Sequence, residues 1–202
     1  MKTSILFLAL LISCSLSAQD EGYDVTDSGY GCISGDCDDG LGKYVWKNGD
    51  YYYGAWKEGK MNGKGTHYRS DGSVYIGFYR NNKKNGQGKL VMTNGDIYTG
   101  DFVDNMAEGY GIMIYKNKTT YKGNWRNNKK HGQGTWKHFA GDMYIGNYQN
   151  NLRHGKGKFI YKKGESYDGL WSYGEMEGQG TYTYQDGSQQ SGIWENGLIV
   201  KQ

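Results

Sequence analysis

The chain of 202 residues carries 34 Gly, no Pro, 20 Tyr, 6 Trp and 5 Phe, with a formal net charge of +3. Turn-forming Gly beside so many aromatics point to β structure rather than helix, and the regular Gly spacing argues against disorder. Few Leu, Ile and Val follow the first residues, which excludes a thick aliphatic core and leaves aromatic rings to supply the burial.

Residues 1–18 read as a signal peptide. Lys2 gives a positive start, Ile5 to Ile12 is a short apolar run, and Ser17-Ala18 supplies small residues before Gln19. The run is too short to span a bilayer. Two processing routes fit: cleavage after Ala18, or a loose bacterial lipobox at Leu11-Ile12-Ser13-Cys14 with Cys14 lipidated. Both place the mature protein outside the cytoplasm: periplasmic, secreted or attached to the cell envelope. Residues 19–28 read as a flexible acidic tail. Residues 20–39 hold seven acids and no Lys or Arg, so the small net charge hides a basic remainder.

Residues 29–51 read as a degenerate N-terminal cap. Cys32 and Cys37 fall inside it, and a pair of Cys in an exported chain reads as a disulfide closing a short loop. Two free thiols are the alternative. Zinc would need more ligands.

From Tyr52 a 23-residue period takes over. Six complete units fill residues 52–189 and a partial unit closes the chain at 190–202. Counted from the leading Tyr, position 3 is always Gly and position 5 always aromatic. Position 8 is Gly or Asn, and positions 12 and 14 are Gly in every complete unit. Gly and Asn tolerate the positive φ of tight hairpin turns, which puts one turn at position 8 and another at positions 20–21. Strands near positions 1–6 and 11–18 then alternate large rings with Gly on one face. One hairpin is marginal alone, so stacking is required. The expected fold is all-β: an elongated single-layer antiparallel β-hairpin array of about seven 23-residue units.

The string from Tyr121-Lys122-Gly123-Asn124-Trp125 to His131-Gly132-Gln133-Gly134 resembles the MORN repeat family (membrane occupation and recognition nexus), with Asn128 at the usual Gly. The resemblance covers about residues 29–202. It implies β-hairpin repeats in an elongated sheet and a role in scaffolding, partner binding or acidic-phospholipid binding. It implies no catalytic residues.

The remaining chemistry is thin. His131 and His154 share position 11 with Asn and Glu of other units, and His67 and His138 sit elsewhere in the repeat, so all four read as structural. Gly-x-Gly precedes strands rather than helices and is no dinucleotide fingerprint. Asp36, Asp38 and Asp39 fail the spacing of a calcium loop. No enzyme, cofactor or metal is expected, and an exported protein is a poor candidate for nucleic acid. Lys60, Lys83, Lys84, Lys129, Lys130 and Arg153 at positions 9–10, with Arg80 and Arg126 at position 6, are expected to form one basic edge. That edge is either a lipid or anion site or protection against aggregation. The position-5 rings Trp56, Tyr79, Phe102, Trp125, Tyr148, Trp171 and Trp194 are the candidate aromatic binding face. The expected function is a non-catalytic scaffold that binds a protein or a second copy of itself as a homodimer. Anionic phospholipid binding is the alternative, and glycan stacking on exposed rings a weaker one.

Overall fold

The computed structural model describes residues 29–201. The expected signal peptide, Cys14 and the expected acidic tail lie outside the described residues. Sixteen strands, β1 to β16, form one sheet in chain order, each antiparallel to its neighbours. The series opens with β1 (Gly31–Gly35), β2 (Leu41–Val45), β3 (Tyr51–Lys57) and β4 (Lys60–Tyr68), and ends at β16 (Leu198–Lys201). The array is all-β and built from repeated hairpins, as the period requires.

Each repeat is one hairpin closed by two residues. Positions 7 and 8 both take positive φ in all seven units, from Glu58 and Gly59 (49° and 65°) to Asn196 and Gly197 (50° and 81°). This double left-handed turn matches the twist of the flanking strands, which is why Asn and Gly recur there. The tip is therefore positions 7–8, and the second strand begins at position 9, two residues earlier than the sequence suggests. Position 12 also has positive φ, 63° at Gly132 for example. It marks a bulge: Trp125 pairs with Lys130 and Gly123 with Gly134, with the register shifting between them.

Positions 1, 5, 10, 14 and 16 share one face, and the core lies on it. The leading Tyr of each complete unit is buried, as is every position-5 ring. The two sets form one continuous ladder from Trp56 through Tyr52, Tyr79 and Tyr75 to Tyr167 and Trp194. Neighbouring centroids lie 5.1–5.3 Å apart with planes at 77–90°. Edge-to-face contacts of this kind place a positive ring edge on a negative ring face. Contacts within a unit alternate with contacts between units, so the ladder joins the repeats.

Polar atoms of the ladder find partners locally. Each leading Tyr hydroxyl donates to the carbonyl of position 4, as Tyr121 does to Asn124 at 2.9 Å. Its ring lies over the Gly at position 14, where a Cβ on Gly134 would stand 2.5 Å from Tyr121. Trp Nε1 donates to the position-14 carbonyl of the preceding unit, Trp171 to Gly157 at 2.9 Å. The position-8 Asn ties units together as well. Asn105 Oδ1 accepts from the Lys84 amide at 2.9 Å, and the Asn105 amide donates to the Lys84 carbonyl at 3.0 Å. At the N-terminal end, Cys32 and Cys37 form a close pair across the β1–β2 turn, with Cα atoms 5.9 Å apart.

Candidate binding groove

The position-5 rings were expected to form an open aromatic face. The structure corrects this for Trp56, Tyr79, Phe102, Trp125, Tyr148, Trp171 and Trp194, which are only 2–8% exposed. Each but Trp194 is covered by the leading Tyr of its own unit, and each but Trp56 by that of the preceding one. They are the floor of a groove, not its accessible wall.

The groove runs across the strands on the core face. One wall is the position-10 row: Met61, Lys84, Ala107, Lys130, Arg153, Met176 and Ile199. The other is made by positions 16 and 18, including His67, Leu90, Met92, Trp136 and Phe159. Three concavities occupy equivalent places along it. The first, about 320 Å³, lies among Met61, His67, Arg69, Tyr79, Asn82, Lys84 and Asn105. The second, about 90 Å³, is apolar and lined by Leu90, Met92, Phe102, Ala107 and Met113 among others. The third, about 430 Å³, is lined by Lys130, Trp136, Tyr148, Arg153 and Phe159 with their neighbours.

The expected single basic edge divides in two. Lys60, Arg80, Lys83, Arg126 and Lys129 are exposed at the hairpin ends. There Arg80 stands opposite Lys83, and Arg126 opposite Lys129. Lys84, Lys130 and Arg153 instead turn into the groove, because position 10 is already inside the second strand and on the ring face. Lys84 is 9% exposed. Its Nζ lies 5.3 Å from the Tyr75 centroid and 5.6 Å from Phe102. Lys130 Nζ lies 5.1 Å from the Tyr121 centroid. The Arg153 guanidinium stacks 4.1 Å above Trp171 and donates to the Gly174 carbonyl at 2.6 Å. Cation–π attraction holds these groups over the floor.

None of the three belongs to an ion pair among the described residues. The three pairs found are His67–Asp50, Lys83–Asp104 and Lys158–Asp168. Burial lowers the pKa of Lys84, and the Arg69 charge adds to that effect. Burial alone lowers that of Lys130. Burial also lowers that of Arg153, while Tyr148, Tyr144 and then Glu175 act the other way.

His67 was read as structural, yet it lines the first concavity. Its Nδ1 lies 3.4 Å from the Tyr79 hydroxyl, and its Nε2 has no hydrogen-bond partner. Leu90 and Met113 hold the same position in the next two units, and that departure was the available signal. Alternation along the second strand places positions 16 and 18 on the ring face, but it carries no sign of their partnership with position 10.

An uninterrupted hairpin sheet of repeating units defines a repeat scaffold. The family model of the MORN repeat matches residues 39–51, 52–74, 75–97, 98–120, 121–143, 144–166 and 167–189. The chain belongs to the MORN repeat family. None of the curated proteins compared matches it. Among solved structures it is similar to the TCP domain of SAS-4 (dCPAP) of Drosophila melanogaster, in complex with a proline rich motif of dSTIL. Identity there is 13%, coverage 75% of this chain and 83% of that one, and TM-score 0.47. The TCP10 domain of Danio rerio CPAP, in complex with a peptide of Danio rerio STIL, aligns at 11% identity. It covers 76% and 74% of the two chains with TM-score 0.39. A streptogramin B lyase structure aligns at 9% identity over 79% and 85%, with TM-score 0.20.

Proposed function

We propose that the protein is a non-catalytic exported scaffold whose ring-floored groove binds a protein partner or a second copy of itself. The observation that carries this reading is the row Lys84, Lys130 and Arg153. Lys84 is buried and Lys130 and Arg153 half-buried against rings, without a carboxylate partner among the described residues. Holding a charge out of water costs stability unless a counter-charge arrives, and an anionic partner would supply it. Export through residues 1–18, by cleavage after Ala18 or lipidation of Cys14, belongs to the same reading. So does a Cys32–Cys37 disulfide, which an oxidising compartment would keep closed.

A second reading, binding to an anionic phospholipid surface, draws support from the hairpin ends. Like charges directly opposite each other destabilise a sheet, yet Lys57 faces Lys60, Arg80 faces Lys83 and Arg126 faces Lys129. Sedimentation with phosphatidylcholine vesicles, with and without phosphatidylglycerol, separates the two. The scaffold reading expects no anionic-lipid dependence at moderate salt. It also expects capture from the native envelope or medium to be lost when Lys84, Lys130 and Arg153 become Met. Salt-sensitive vesicle binding removed by Lys60, Lys83 and Lys129→Ser would favour the lipid surface instead.

A further inference from the structure

The groove has a spacing as well as a composition. Equivalent residues in successive units lie two strands apart, about 9.6 Å at ~4.8 Å per strand. One turn of a peptide in the extended polyproline II conformation, three residues at ~3.1 Å each, spans about 9.3 Å and returns every third side chain to the same side. A peptide laid along the groove, across the strands, would therefore present every third side chain to successive position-10 residues. Those residues are unlike one another. Lys84 is cationic, Ala107 sits in the small apolar concavity, and Lys130 and Arg153 are cationic. Met61 and Met176 end the charged section, so it has a definite length.

We infer that the groove between Lys84 and Arg153 recognises an extended peptide with carboxylates and one apolar side chain at every third residue, in the order acid, apolar, acid, acid. The inference rests on the groove being the protein-binding face, and adds the chemistry and spacing of what binds there. The first acid meets Lys84 beside His67 and Arg69, whose cavity of about 320 Å³ admits a carboxylate. The apolar side chain enters between Leu90 and Met113, where the floor is Phe102 and no charge projects. The last two acids meet Lys130 and Arg153 over Tyr121 and Trp171. The carboxylates complete ion pairs that the described residues do not supply, which makes the pattern a matter of charge complementarity rather than of area alone.

Fluorescence anisotropy with labelled decapeptides tests this on the exported chain. The probes are DSGLSGDSGD and its reverse DGSDGSLGSD, since the groove does not dictate chain direction. Controls of the same composition gather the acids at one end. Binding of either probe, with controls at least tenfold weaker, supports the pattern. The Met variant at Lys84, Lys130 and Arg153 should weaken the probe at least tenfold, and Met already occupies this position at Met61 and Met176. Ala107→Lys should reverse the preference at the second site, favouring DSGDSGDSGD over the apolar probe. Equal binding of probe and control to the wild type, but loss in the Met variant, overturns the spacing and leaves the groove standing. Binding that survives in the Met variant overturns the groove as the site. No binding of either probe overturns the pattern, while the capture comparison still judges the groove.

Discussion

Gly134 lies under the Tyr121 ring, and any side chain there meets Tyr121 Oη and Cε2 at 2.5 Å. The ring cannot retreat, because it also contacts Trp125 and Tyr148 edge to face. Gly134→Ala should therefore destabilise by about 1–3 kcal/mol, as overpacking does, read as a lower urea midpoint with little change in slope. An unchanged midpoint would mean that the ladder is looser than its geometry. His67 is the residue with a pH signature. Burial is the main cause lowering its pKa from 6.5, the Arg69 charge adds to it, and Asp50 at 3.9 Å pulls the other way. With burial dominant, the unfolded chain takes up the proton first. Stability is then complete above pH 6.5 and is lost as pH falls from there towards the lowered folded value. The urea midpoint should drop between pH 7.5 and 5.5, and His67→Leu, which copies Leu90, should remove part of that drop. Identical pH profiles for the two proteins would contradict the burial of a neutral His67.

The hairpin is the element on which sequence and structure agree most closely. A 23-residue period of Gly, Asn and rings was enough to read repeated antiparallel hairpins, because turn chemistry and two-residue alternation are local properties. The turn at position 8 was read correctly, but the second strand was expected two residues too late. Asp104, Asn127 and Asn150 share positive φ with the residues after them, yet position 7 also holds Glu58 and Tyr173, so no single residue type marked it. That small shift concealed the inward turn of Lys84, Lys130 and Arg153. The second turn of each repeat carries one exception, and it is testable. Position 21 has positive φ in every unit and is Gly everywhere except Lys118, whose φ is 69°. A side chain in that region costs about 1 kcal/mol relative to Gly. Lys118→Gly should stabilise the protein by about that much in a denaturant titration. A loss of stability would show that the Lys118 side chain contributes more than its backbone strain costs.

Across the whole molecule, stacking decides what the sequence left open. Each sheet face repeats every second residue, so the pattern alone does not say which face is covered. The answer lies in contacts between units: Tyr52 on Tyr79, Tyr98 on Trp125, Tyr144 on Trp171. These bury the position-5 rings and leave the position-10 and position-16 rows as the walls of the groove. The opposite face exposes scattered apolar residues such as Ile145 and Phe78, without a comparable row of ring-stacked cations among the described residues. The groove, and neither the back face nor the hairpin ends, is the proposed seat of a partner. Site-specific photo-crosslinking measures this directly, with a diazirine side chain placed at Met92 in the groove, Ile145 on the back face or Lys83 at a hairpin end. One discrete protein adduct is expected from Met92, abolished when Lys84, Lys130 and Arg153 are Met, and no adduct from Ile145. A discrete adduct from Ile145 or Lys83, with none from Met92, would contradict this placement.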